Sequence, residues 1–264
     1  MLLQRIVTAI VAAALILLVL FLFPAPAAEA VIAAIILAAA WEWAKFLSLR
    51  GAAARLSYVA TIGALLAAAT WLTPSPEAAV VILKIGLLWW FAALIWVFFY
   101  PTPIARPVGW VCGALVLVPA YVALLSLYSF RPSVLLFALV IIWAADIGAY
   151  FAGKRFGRIK LAPRISPGKT WEGVIGGLAA VVLVLLAVRL YWLEIDVAVI
   201  IPFCLAVATL SVVGDLTVSM FKRSAGLKDS GRVFPGHGGV LDRIDSVTAA
   251  APLFALGIGW AGVA

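Results

Sequence analysis

Charge is what this sequence lacks most. Only 11% of its 264 residues are Asp, Glu, Lys or Arg, against roughly 25% in ordinary soluble domains. Hydrophobic residues make up 67%, more than one soluble core of this size can enclose under a polar surface. The deficit excludes a water-soluble globule and makes lipid the solvent for most of the chain. Cysteine is nearly absent too: Cys112 and Cys204 lie in separate apolar runs, which argues against a disulfide framework. With those two thiols and a single histidine, His237, a Cys/His zinc site has too few ligands. A bound metal must be held mainly by oxygen, which points to a magnesium-like ion. The net charge of +8 would suit nucleic acid, but the placement of the bases argues for a membrane and no nucleic-acid partner.

What is present is a series of long apolar runs. A helical span needs about 20 mostly apolar residues. Nine stretches qualify: 6–23, 27–48, 57–73, 78–100, 108–128, 132–152, 173–194, 198–221 and 246–263. Turn-forming Pro24-Ala25-Pro26, Pro74-Ser75-Pro76 and Pro101-Thr102-Pro103 separate several of them. We expect an all-α integral membrane protein of about nine transmembrane helices. It forms a single polytopic domain over 1–264, with N-terminal spans in 1–130 and a catalytic half in 131–264.

The positive-inside rule orients these spans. With Arg5 and the N-terminus in the cytoplasm, the loops after even-numbered spans are cytoplasmic and hold Arg50, Arg55, Arg106 and two basic clusters. The first cluster is Lys154, Arg155, Arg158, Lys160, Arg164 and Lys169; the second is Lys222, Arg223, Lys228, Arg232 and Arg243. Among the outer loops only Arg131 is basic, while Glu77, Glu194 and Asp196 lie outside, and the C-terminus follows them. Ala28-Glu29-Ala30 resembles a signal-peptide cleavage site, but the apolar run before it is long for a signal, which favours a retained span. No internal repeat or low-complexity linker interrupts the pattern.

Two cytoplasmic segments differ from the rest. Asp215, Ser219, Lys222 and Arg223 fall at i, i+4, i+7 and i+8 of the eighth span, on one helix face. An acid inside an apolar span is costly unless it pairs, coordinates an ion or faces water. The loop that follows surrounds His237 with Gly236, Gly238 and Gly239 and ends in Asp242-Arg243-Ile244-Asp245. Glycines let backbone N–H groups approach a phosphate, and Lys or Arg neutralises its charge. Asp242 with Asp215 is expected to hold a divalent cation between two helix ends. Asp245 also suits a cap on the last helix, where negative charge is favoured.

In the other segment Asp146, Tyr150 and Lys154 share a helix face. Gly168-Lys169-Thr170 matches the end of a Walker A loop, but that motif needs glycine where this chain has Pro163, and no strand is expected to precede it. A P-loop NTPase is rejected, although Lys169 beside a helix start still suits an anion. Glu42 and Lys45 are expected to pair with each other or snorkel, as are Lys84 and Arg189 at the outer interface. Trp41, Trp43, Trp71, Trp89 and Trp90 are placed as an interfacial aromatic belt.

These motifs carry a resemblance. Ser219-Met-Phe-Lys222-Arg223, then Lys228-Asp229, then Phe234-Pro235-Gly236-His237-Gly238-Gly239 and Asp242-Arg-Ile-Asp245 resemble the long, fixed-spacing signature of phosphatidate cytidylyltransferases. Asp146-Ile-Gly-Ala-Tyr150 and Ser166-Pro-Gly-Lys169-Thr-Trp-Glu-Gly173 are similar to that family's other recurrent block. The resemblance is strong over residues 140–250, and the first half shares only its run of spans. It implies the reaction of CTP with phosphatidic acid to give CDP-diacylglycerol and pyrophosphate in a bacterial inner membrane, with the site facing the cytoplasm. It also implies Mg²⁺, with K⁺ beside it, and a homodimer. Carried onto this chain, Asp215 and Asp242 are the metal-binding acids and Ser219 lies close to them. Lys222 completes the catalytic set; Lys169, Arg223, Lys228, His237, Gly238, Gly239 and Asp146 are expected to bind substrate. Three rivals fit less well. A CTP-dependent polyprenol kinase would release CDP, and a CDP-alcohol phosphatidyltransferase needs acids at a different spacing. A secondary transporter would place its acids nearer the midplane.

Overall fold

The computed structural model describes residues 2–49, 51–73, 75–191, 196–231, 233 and 238–258. Nine helices run through them: α1 (Leu2–Leu22), α2 (Ala25–Phe46), α3 (Ala52–Leu72), α4 (Pro76–Phe98), α5 (Arg106–Phe130), α6 (Pro132–Phe156), α7 (Trp171–Tyr191), α8 (Val197–Ser224) and α9 (Leu241–Gly257). Among the described residues seven, α2 to α8, are long and apolar enough to cross a membrane. The apolar part of α1 counted there is the shorter Ile10–Leu22, and α9 has 17 residues. The expected ninth span at 246–263 is therefore displaced: its helix begins at Leu241, and 259–264 lie outside the described residues.

The bundle is apolar outside as well as inside. Trp71, Leu88, Phe91, Phe98 and Leu190 are exposed, as spans facing hydrocarbon must be. The tryptophans divide accordingly. Trp71 is 80% exposed and suits a belt, whereas Trp43 and Trp90 are fully buried and Trp89 nearly so. The expectation that these three sit in the belt is corrected: their rings fill gaps between helices. The Trp43 indole donates to the Gly109 carbonyl at 3.0 Å and stacks at a tilt on Phe221, because a buried indole N–H needs an acceptor.

Two helix contacts position the polar residues, and both depend on small side chains. Without a hydrophobic force between helices in lipid, close packing of small residues holds spans together. Helices α6 and α7 make the most extensive contact of the bundle, through Ala145, Gly148 and Ala152 against Gly176, Gly177 and Ala180. A Cβ on Gly177 would stand 2.6 Å from the Ala145 carbonyl oxygen. Helix α9 sits centrally, touching α2, α4, α5, α6 and α8, and its run Ser246–Pro252 is buried throughout. At Gly214 a Cβ would lie 2.5 Å from the Asp245 carbonyl oxygen, so only glycine lets α8 come this close to α9.

Between α6 and α7 the chain forms an antiparallel hairpin of β1 (Lys160–Ala162) and β2 (Ser166–Thr170). The helical class stands, with this short hairpin as the one exception among the described residues. The expectation of no strand here is corrected, although Lys169 lies within β2 and not in a loop after it. The P-loop remains excluded on that ground as well as by Pro163.

Overpacking of this kind costs about 1–3 kcal/mol. Gly177→Val and Gly214→Val should therefore lower the unfolding midpoint of the detergent-solubilised protein by several degrees. Gly63→Ala should not lower it, since the new Cβ meets only Leu37 Cδ2 at 3.6 Å and alanine is the better helix former. Equal midpoints for all three would refute the close-contact argument.

Candidate active site

Helix α8 carries three of the expected residues along one face. Directly after Gly214, Asp215 accepts from the Ser219 hydroxyl, one turn on, at 3.1 Å. Its other oxygen lies 2.7 Å from Lys169 Nζ. Two turns further, Lys222 donates to Asp242 Oδ1 of α9 at 2.8 Å. Asp242 Oδ2 accepts from the backbone N–H groups of Ser230 at 3.0 Å and Gly239 at 2.9 Å. The two ion pairs differ in shielding. Lys222 and Asp242 expose only 10% and 8% of their side chains, whereas Lys169 and Asp215 expose 24% and 28%.

The hairpin that delivers Lys169 is held on several sides. Thr170 caps α7, accepting from the Gly173 N–H at 3.1 Å. Glu172 in the first turn of α7 accepts from the Ile159 N–H at 3.1 and 3.2 Å. Arg223 donates from Nε to the Ile165 carbonyl at 3.1 Å, which ties the end of α8 to the hairpin.

Between these elements lies a cavity of about 650 Å³, lined by Asp146, Lys169, Asp215, Lys222, Asp242 and Asp245, with Lys154 and Arg243 also on its wall. That volume is in the range of small-molecule sites, roughly 300–1,000 Å³. Asp146 and Ser246, 100 positions apart in sequence, thus share one polar chamber. The structure brings together Asp146, Lys169, Asp215, Lys222 and Asp242, and holds Ser219 against Asp215. Arg223, Lys228, Gly238 and Gly239 do not line the chamber. Arg223 braces the hairpin, Lys228 is exposed beyond α8, and Gly239 orients Asp242. His237 and Arg232 lie outside the described residues.

Sequence reasoning missed two things. The first is the rest of the lining: Asp245, Ser246 and Asp229 face the chamber, and the Ser246 hydroxyl donates to Asp146 at 3.3 Å. Asp245 lies in the second turn of α9 and does not cap it. The second is Glu42, which does not pair with Lys45. It is 2% exposed and accepts from the Ser230 hydroxyl and the backbone N–H groups of Val240 and Leu241. Lys45 donates to the Ser230 carbonyl at 2.6 Å. An acid within an apolar span was the available signal; its partners, nearly two hundred residues away, were not in the local pattern.

The donor set bears on a metal. Among the described residues, the acids of the chamber supply oxygen alone, with no thiol or imidazole on its wall. Among the described residues no three His, Cys, Asp or Glu groups converge as a metal cage. Carboxylate oxygens are the donor type that a magnesium-like ion takes, through one or two carboxylates with substrate phosphates and water completing the shell.

Residues 3–259 match the Cytidylyltransferase family. The chain is 43% identical to the phosphatidate cytidylyltransferase of Pseudomonas aeruginosa, over 97% of this chain and 96% of that protein. It is 38% identical to the phosphatidate cytidylyltransferase of Haemophilus influenzae, over 96% and 97%. The protein of the same name from Brucella suis matches over about half of each chain at 48%.

Removing one member of a shielded ion pair leaves the other charge stranded, at about 3–5 kcal/mol, and the cost falls as the pair becomes more accessible to solvent. Lys222→Ala should therefore lower the unfolding midpoint in detergent clearly more than Lys169→Ala. The reverse order would contradict the shielding described here.

Proposed function

Because the chain belongs to the cytidylyltransferase family, we infer that it transfers CMP from CTP to phosphatidic acid, giving CDP-diacylglycerol and pyrophosphate. The observation that carries this reading is the meeting of both recurrent sequence blocks, around Asp146–Gly173 and Asp215–Asp245, on the wall of one polar chamber. A transporter or scaffold has no need of a chamber in which lysines and acids share one wall.

A phosphate oxygen of phosphatidic acid attacks the α-phosphorus of CTP in line. The new P–O bond forms as the bond to the pyrophosphate oxygen breaks. Bringing two polyanions together is the obstacle, so positioning and charge neutralisation are the protein's work. Lys169 and Lys222 are the cations best placed for it, each exchanging a carboxylate for a phosphate oxygen. Lys169 is the freer to do so, since its pair is the more open. Asp215 and Asp242 would hold Mg²⁺, with K⁺ beside it; the metal supplies charge neutralisation and Lewis acidity at the phosphates. Ser219 orients Asp215 through its hydrogen bond, and Asp146 faces the substrates across the chamber. Arg223 and Lys228 serve from the rim. Gly238 and Gly239 shape the loop, with His237 in a phosphate-binding or loop-ordering role. Phosphatidate is already ionised near neutral pH and needs no general base.

The lipid enters sideways from the inner leaflet with its acyl chains in hydrocarbon. The site faces the cytoplasm of a bacterial inner membrane, with the N-terminus inside and the C-terminus outside, as the distribution of Lys and Arg supports. The working unit is a homodimer, as the family resemblance implies.

The test is an assay of purified protein in mixed micelles with phosphatidic acid, radiolabelled CTP and Mg²⁺. Labelled CDP-diacylglycerol and equimolar pyrophosphate are expected, with loss of activity in EDTA and recovery on adding Mg²⁺. Asp215→Ala and Asp242→Ala should insert normally and lose about 100-fold or more of turnover. Release of CDP in place of pyrophosphate would replace the reading with a lipid kinase, and untouched CTP would overturn it.

A further inference from the structure

Glu42 is a buried carboxylate away from the chamber wall that the chemistry above does not use, and its surroundings are unusual. It projects from α2, in the half of the chain that the recurrent motifs leave out, yet every described partner lies in the loop before α9 or at the first residue of that helix. Oε2 accepts from the Ser230 hydroxyl at 2.7 Å and from the Leu241 N–H at 2.8 Å; Oε1 accepts from the Val240 N–H at 3.1 Å. Among the described residues no Lys or Arg pairs with it. A buried negative charge is costly unless it is hydrogen-bonded, and here N–H donors at the start of α9 and one hydroxyl hold it. Gly231 and Gly239 pack on the carboxylate so closely that a Cβ on either would overlap it.

The same few residues hold Asp242. Ser230 gives its hydroxyl to Glu42 and its N–H to Asp242 Oδ2 at 3.0 Å, while Lys45, one turn along α2, fixes the Ser230 carbonyl at 2.6 Å. Gly239, against the Glu42 carboxylate, gives its N–H to the same Asp242 oxygen at 2.9 Å. Both ends of the glycine-rich loop are thus fastened to α2, and the fastened backbone fixes one oxygen of Asp242. The other oxygen is left to Lys222.

We propose that Glu42 is a positioning residue for the reaction: it clamps the two ends of the glycine-rich loop on α2 and so sets the Asp242 carboxylate in the chamber. The proposal rests on the role given to Asp242 above. It brings the N-terminal spans into the catalytic apparatus, since α2 supplies the anchor against which the α8–α9 site is aligned. The recognition needs two acceptor oxygens. All three partners donate, and a glutamine at this position would turn one acceptor into a donor facing the Val240 or Leu241 N–H.

The experiment compares wild type, Glu42→Gln and Ser230→Ala in three readouts: steady-state kinetics, thermal unfolding in detergent, and hydrogen exchange of peptides covering 228–242. Loss of a supporting contact to a site ligand typically costs about 10–100-fold in activity. Glu42→Gln should accordingly lower kcat at least tenfold while KM for CTP stays within about threefold. Its unfolding midpoint should stay within a few degrees, and the rise in exchange should be confined to 228–242. Ser230→Ala should move in the same direction by less. Wild-type kcat in Glu42→Gln, or activity lost in step with unfolding in both variants, would overturn the proposal. So would activity lost without any change in exchange at 228–242. Should the wild type turn over no CTP, the proposed function fails on its own. The clamp is then judged by exchange, and unchanged protection of 228–242 in Glu42→Gln would refute it.

Discussion

A carboxylate at the end of an apolar helix cannot stand alone, because neither hydrocarbon nor packed side chains replace the water it gives up. Glu42, Asp215 and Asp242 all meet this constraint, and much of the catalytic half can be derived from how they satisfy it. Asp215 takes Lys169 and thereby draws the β-hairpin over the end of α8. Asp242 takes Lys222 and joins α8 to α9. Glu42 takes the N–H groups that open α9 and thereby secures that helix to α2. Three separate stretches of chain are gathered to one place by the same electrostatic requirement.

Close approach of the helices makes these partnerships reachable. Side-chain carboxylates and lysines span only a few ångströms, so the helices bearing them must nearly touch. Gly214 permits this between α8 and α9, and the glycines and alanines of α6 and α7 permit it beneath the hairpin. Small residues in these spans are therefore part of what builds the site, although Gly148, Gly176, Gly177 and Gly214 stand off the chamber wall. The short, small-residue α9 follows from the same need: it lies at the centre of the bundle, touching five other helices, where bulky side chains would hold the neighbours apart.

The two ion pairs then divide the labour. The Lys222–Asp242 pair is sheltered and reinforced by two backbone N–H groups, which makes it the harder of the two to part. The Lys169–Asp215 pair is more open and has one hydroxyl for support. Its lysine rides on a two-stranded hairpin, so it is the natural pair to part when polyphosphate arrives. The two ion pairs offset four of the chamber's charges and keep two lysines where a phosphate can meet them.

Composition and apolar run length determined the membrane-embedded helical class, since a chain so poor in charge has no other solvent to fold in. The helical period also put Asp215, Ser219 and Lys222 on one face, because that relation is set by backbone geometry alone. Where a residue's partner was local or its motif contiguous, as for Ser219 with Asp215, sequence sufficed. It did not reveal the hairpin, whose Lys160–Thr170 pairing depends on α6 and α7 lying side by side. Nor did it reveal that Trp43 and Trp90 are core residues, for a tryptophan near a span end reads alike in either setting. Glu42 marks the limit most clearly: locally it stands beside Lys45, and proximity in sequence favours that pair. Only the tertiary structure, by laying α2 against the start of α9, decided that its partners are Ser230, Val240 and Leu241, because an ion or hydrogen bond is chosen by distance in space and the chain's order carries no measure of that.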